Sequence, residues 1–294
     1  MVSVVELLAE RVARLFGAEP VAWDERAAPW QPRGAVEGGN ERFSVLLADG
    51  RRVFVKAARS ELTAAWLRRE YQVYARLRGT FIPKLEAFDD DPLYPVLVLE
   101  DLSDADWEIR WELDRIALVR SALAELAASE PPPNTQPVRQ AFPELFGRWH
   151  VVQEDPEPFL STGIRSRAWL EAALPTLTAA ADSVRAEGDE VLHLDVRSDN
   201  LCFRDGVAVL VDWNWCSTGN ADLDVAAWLP SLAAEGGPQP WEVLPAAADY
   251  AAFLAGVWAA VVGLPPPTTA PTVREGQRRQ LEVALAWCEH EFGF

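Results

Sequence analysis

Apolar positions along this chain follow two rhythms. In the first hundred residues, short apolar runs broken by glycine and aspartate predict strands and turns. Residues 35–47 read as strand, glycine turn, strand, with Gly38, Gly39 and Asn40 at the turn. Asp49-Gly50 then makes a hairpin turn into a further strand over 51–56. Over 61–78 the rhythm changes: Leu62, Trp66, Tyr71, Val73, Tyr74 and Leu77 fall at mixed three- and four-residue spacings, which predicts a helix. Tyr94 to Leu102 reads as a buried strand running into acidic residues. Beyond it the pattern is mostly helical, with helices expected at 111–128, 168–185, 222–232, 241–262 and 272–291. One stretch interrupts them. Residues 191–194 and 207–211 read as two short strands, with Asp205-Gly206 as the turn before the second. Residues 1–16 form an amphipathic helix carrying Glu6, Glu10, Arg11 and Arg14, unlike a signal peptide. The proline-rich segments 131–137 and 265–271 are stiff spacers, and no internal repeat is visible.

Composition narrows the class. A chain of 294 residues with 49% hydrophobic and 24% charged residues is globular and long enough for two lobes around one site. No run of about 18 apolar residues is present, so no membrane span is expected. Cys202, Cys216 and Cys288 show no metal-ligand spacing, and unpaired thiols fit a reducing cytoplasm. A formal net charge of −18 argues against nucleic acid as a partner. The same charge would concentrate a cationic small molecule, although a generic acidic surface gives the same total.

The richest chemistry lies between the two short strands: His193-Leu194-Asp195-Val196-Arg197-Ser198-Asp199-Asn200, followed by Val211-Asp212-Trp213. Asp195, Asn200 and Asp212 are hard oxygen donors that short segments can bring to one point. Two of them suffice for Mg²⁺ when phosphates fill the remaining positions, and a further carboxylate is then free to accept a proton from an attacking hydroxyl. Lys56 adds to this. Among 27 Lys+Arg, only Lys56 and Lys84 are lysines, and Lys56 ends a predicted strand where a compact ammonium can meet phosphates. Paired glycines would let backbone N–H groups approach phosphate oxygens. Glu70 can pair with Lys56, or remain a solvated helix residue beside Arg68 and Arg69.

His-x-Asp-x-x-x-x-Asn followed by a strand ending in Asp resembles the loops of the aminoglycoside phosphotransferase and choline kinase family, distant relatives of protein kinases. The resemblance runs by motif from Val36 to Trp228. It implies an α+β, two-lobed, protein-kinase-like fold: a small antiparallel-sheet lobe over 1–99 and a larger, mainly helical lobe over 100–294. It implies Asp195 as catalytic base, Asn200 and Asp212 as Mg²⁺ ligands, and His193 as a loop-shaping residue. Lys56, paired with Glu70, would hold ATP phosphates with Gly38, Gly39 and Asn40. The Glu100 carbonyl and Leu102 N–H would meet adenine, with GTP left open. Asp224, after Gly219, would brace the catalytic loop. Leu194 stands where the family usually has Gly, and Asp199 where Gly is frequent.

The expected reaction is transfer of the γ-phosphoryl group to a hydroxyl of a small molecule by a monomer or weak dimer. The acidic, aromatic end of the chain, with Glu289, Glu291 and Phe294, is expected to reach the acceptor. That favours a cationic acceptor such as an aminoglycoside or another amino-bearing antibiotic or sugar, with neutral sugars, macrolide-like alcohols and metabolic amino alcohols as alternatives. Two other classes stay open: a nucleotide-binding module without turnover, and an iron oxygenase built on His193, Asp195 and either His150 or His290.

Overall fold

The computed structural model describes residues 4–26, 39–267 and 270–294. Helix α1 (Val4–Phe16) leads into strand β1 (Pro20–Glu25), then β2 (Glu41–Leu47) and β3 (Arg52–Ala57), helix α2 (Glu61–Arg76), and strands β4 (Leu85–Asp89) and β5 (Val96–Glu100). Among the described residues these strands form one antiparallel sheet in the order β1-β2-β3-β5-β4. Period-two alternation sorts its faces. Phe43, Val45, Leu47, Val53, Val55 and Ala57 pack under Leu8 and Val12 of α1. Arg42, Ser44, Phe54 and Lys56, at the alternate positions, therefore turn to the opposite face. There α2 buries Thr63, Leu67, Glu70 and Tyr74, one helical stripe with a carboxylate in its middle. Ser60 and Thr63 close a capping box at its start. The glycine turn expected at 38–39 is reached only in part: Gly38 and the strand segment before it lie outside the described residues, while Gly39 and Asn40 directly precede β2.

The rest of the chain is mainly helical, and one large core spans it: α3 (Leu113–Ala127), α4 (Val138–Ala141), α5 (Arg148–Glu154), α6 (Glu157–Ser161) and α7 (Arg167–Asp182) precede a group of short strands. These are β6 (Glu190–Leu192), β7 (Leu201–Arg204), β8 (Val207–Leu210) and β9 (Ser217–Gly219). Helices α8 (Asp222–Ala234), α9 (Pro240–Val243), α10 (Ala248–Ala259) and α11 (Val273–Phe292) complete the chain. Among the described residues no helix is long and apolar enough to cross a membrane.

Two expectations are corrected here. The two short strands expected at 191–194 and 207–211 do not belong to one sheet. β6 pairs with β9, and β8 pairs with β7, which the sequence reading missed. The Asp205-Gly206 turn joins β7 to β8, with both residues at positive φ (52° and 77°) as a tight hairpin requires. The single helix expected over 241–262 is broken into α9 and α10. Pro245 is the cause: Leu244 before it is driven from the helical region (φ −129°, ψ 83°), and Ala246 turns left-handed at φ 56°.

Candidate active site

The loop from His193 to Asn200 hangs between β6 and β7, and its shape is imposed from outside. Asp224, in the first turn of α8, accepts the backbone N–H groups of His193 (2.7 Å) and Leu194 (2.6 Å) on its two carboxylate oxygens. Burial pushes the Asp224 carboxyl up to about 7, against the pull of those two donors. Leu194 sits at φ 62°, a left-handed conformation that suits Gly and costs other residues roughly 1–2 kcal/mol. The grip of Asp224 on that peptide is what holds a leucine there. Buried His193 fixes the next link: its Nδ1 accepts the Asp195 N–H (3.2 Å), leaving Nε2 to donate to the Val211 carbonyl (3.0 Å). Burial holds the imidazole below its usual range, in the neutral form those bonds require. With both ring nitrogens spent, His193 has none left for iron. His150 pairs with Asp182 and His290 stacks on Trp241, and among the described residues no three His, Cys, Asp or Glu side chains come together as a metal-holding group, so no iron triad is built.

The loop orients three side chains. Asn200 Nδ2 donates to the Asp195 carbonyl (3.0 Å) and to Asp195 Oδ2 (2.8 Å), which leaves the amide oxygen as the group that could meet a cation. Arg197 Nε lies 3.2 Å from Asp195 Oδ1. Asp212, just past β8 and left-handed at φ 68°, takes Asn214 Nδ2 at 2.7 Å and Lys56 Nζ at 3.4 Å on Oδ1. Arg42 Nη2 stands 3.7 Å from its Oδ2. Burial pushes the Asp212 carboxyl up, but Lys56 and Arg42 outweigh it and hold the group at about 2. One carboxylate and one amide oxygen are a hard, sparse donor set. They fit Mg²⁺ that draws its other ligands from phosphates and water.

Lys56 Nζ meets both Glu70 oxygens at 2.6 Å, and both side chains are buried. Of the two pairings open to Glu70, the structure has the one with Lys56. Burial still pushes Glu70 up to about 7. Lys56→Met should cost up to about 3–5 kcal/mol of stability once Glu70 is ionised, because it then strands a buried carboxylate. A buried acid whose folded pKa is raised loses stability as pH climbs from its unfolded value through the folded one. The deficit in urea denaturation should therefore be small near pH 5 and grow beyond pH 7, and Lys56→Met/Glu70→Leu should recover much of it. A deficit independent of pH would mean that Glu70 is not its source.

Two cavities meet at this loop. The first, about 390 Å³, is lined by Lys56, Arg42, Asn200 and Asp212 and by the chain from Glu100 to Ser103. Leu102 is buried there, and the Glu100 side chain pairs with Arg204 at 2.9 Å. The second, about 1010 Å³, is lined by Asp195 and by α8, α10 and the first half of α11. Ser198 and Asp199 line both, and burial pushes the Asp199 carboxyl up to about 6. Asp195 thus opens into one cavity, and Asn200 and Asp212 into the other.

The C-terminal tail lies elsewhere. Glu289 is clamped to Arg165 at 2.8 and 3.0 Å, Glu291 accepts from Trp287 Nε1, and Phe294 meets the Trp169 edge. Glu275, at the cavity, lies about 20 Å along the helix axis from Glu289. The tail was read as reaching the acceptor because it is acidic and aromatic, but those side chains serve the packing of α11. Sequence reading also passed over Arg42, Trp107 and Asn214. Arg42 had a signal: as the cross-strand partner of Lys56 it must share its face.

The sequence from residue 35 to 266 matches the model of the phosphotransferase enzyme family. No curated protein matches the chain. Solved structures share its fold at low identity. A choline/ethanolamine kinase family protein from Mesorhizobium loti superposes with a TM-score of 0.56 at 13% identity, over 99% of this chain and 96% of the other. A macrolide 2′-phosphotransferase type I gives 0.56 at 14%, over 98% of each chain. An amicoumacin kinase in complex with AMP-PNP, Ca²⁺ and Ami gives 0.54 at 13%, over 97% and 94%.

Proposed function

The chain belongs to the phosphotransferase enzyme family, and from that premise we propose that it transfers the γ-phosphoryl group of ATP to a hydroxyl of a small, amino-bearing molecule. The observation that carries this reading is the division of labour across the loop 195–200, with a carboxylate facing one cavity and a metal-type donor pair facing the other. The first cavity takes the nucleotide. Lys56 and Arg42 meet its phosphates, Asn200 Oδ1 and Asp212 hold Mg²⁺, and the base lies against Glu100 to Leu102. The ion neutralises charge on the phosphoryl oxygens when bound. The second cavity takes the acceptor. Asp195 orients its hydroxyl and accepts its proton as the bond to phosphorus forms. The AMP-PNP and Ca²⁺ of the amicoumacin kinase agree with a nucleotide and a divalent ion in such a fold.

The wall supports a positively charged acceptor. Glu144, Asp195, Asp199, Glu235 and Glu275 line the second cavity against Arg148, Arg197 and Arg279, and Arg197 already pairs with Asp195 and Asp199. An aminoglycoside or another amino-bearing antibiotic or sugar suits that balance. The test is a panel of amino-bearing and uncharged alcohols with ATP and Mg²⁺, read by acceptor-dependent ADP release and by a new phosphate ester in ³¹P NMR. Turnover should appear with an amino-bearing acceptor and vanish with EDTA. Nucleotide binding without turnover on any acceptor would favour the non-catalytic module, and turnover only on uncharged alcohols would remove the charge requirement.

A further inference from the structure

The first cavity has two chemically distinct ends. Lys56, Arg42 and Asp212 mark one, while Phe54, Leu99 and the chain from Glu100 to Ser103 mark the other. An apolar slot edged by backbone suits a flat base, which is told apart by the hydrogen-bonding groups it meets along that edge. Here one such group is closed. The Leu102 carbonyl accepts the Trp107 indole N–H at 2.8 Å and the Ala105 N–H at 3.1 Å. A carbonyl oxygen has two lone pairs, so this one has no capacity for a third donor. Trp107 is 39% exposed and lines the cavity, so this contact forms at the cavity wall and not in the core.

The two purines make different demands. Adenine donates from N6 and accepts at N1, which one backbone carbonyl and one N–H satisfy. Guanine accepts at O6 but donates from both N1 and its 2-amino group, so it needs a further acceptor along the same edge. We propose that Trp107 determines base specificity, closing the Leu102 carbonyl so that the cavity takes adenine nucleotides and rejects guanine nucleotides. The inference rests on the reading of this cavity as the nucleotide site. A donor buried without a partner lowers affinity by about tenfold or more.

Calorimetry on the full chain with MgADP and MgGDP tests it. The wild type should favour ADP by about tenfold or more. Trp107→Phe keeps an aromatic surface but removes the N–H, which frees one lone pair on Leu102. GDP affinity should then rise several-fold relative to ADP affinity. A comparison in the wild type needs no variant: inosine diphosphate lacks the 2-amino group and should bind several-fold tighter than GDP. An ADP-to-GDP ratio unaltered by Trp107→Phe, or equal wild-type affinities for GDP and inosine diphosphate, would overturn the role of Trp107 and leave the nucleotide reading intact. A chain that binds none of these nucleotides would overturn both.

Discussion

Asp195→Ala is expected to slow phosphoryl transfer by ~10²–10⁴ while leaving the affinity for MgATP nearly unchanged. The separation follows from position, since Asp195 lines the second cavity and not the first. Its loss should not release the metal-side residues, because Asn200 Nδ2 keeps its second anchor, the Asp195 backbone carbonyl at 3.0 Å. Asp195→Asn is the sharper control, since it preserves shape but cannot take a proton. Both variants should lose rate in single-turnover measurements, with nucleotide binding intact by calorimetry. Wild-type turnover in either one would remove Asp195 from the chemistry.

Asp212→Asn should give the opposite pattern, with the deficit already present in binding. Its carboxylate stands between Lys56 and Arg42 as the negative member of the group and as the proposed metal ligand. Neutralising it weakens affinity for MgATP. It also removes a charge that repels bare phosphates, so affinity for ATP in EDTA should rise. Calorimetry with and without Mg²⁺ reads both, and an equal loss under the two conditions would mean a collapsed site and not a missing ligand. The pH window follows from a depressed carboxyl. With a folded value of about 2 against an ordinary 3.8, Asp212 contributes stability that is complete above pH 4 and lost as pH falls through 2. Acid loss of activity above pH 4 must therefore arise at another group.

Much of the site was legible because its residues are close in sequence. His193, Asp195 and Asn200 share one loop, and Asp212 follows one hairpin later. Lys56 stood out through the rarity of lysine in an arginine-rich chain. The pairing of β6 with β9 was not legible. Both are three-residue strands whose hydrogen bonds join Glu190–Leu192 to Ser217–Gly219, and no local turn announces such a contact. The β1 strand was hidden for another reason: its residues are half-buried or exposed, so it lacks the apolar alternation of a core strand. Pro245 was in plain view and outweighs the helical propensity around it. The proposed acceptor wall was missed for another reason. The tail's composition suggested a site, but composition does not tell which turn of a twenty-residue helix meets a cavity.

Helix α8 carries Asp224, which sets the loop of Asp195, and also lends Leu223, Ala227 and Ser231 to the second cavity. Helices α10 and α11 line the same cavity, while among the described residues it is α8 whose Asp224 takes the backbone N–H groups of His193 and Leu194. The wall is therefore divided into a fixed part and a free part. Substitutions on α10 and α11 can remodel what the cavity admits without moving the reacting groups, whereas a change on α8 alters fit and geometry together. A lineage exploring new acceptors has open ground on two helices and a narrow path on the third.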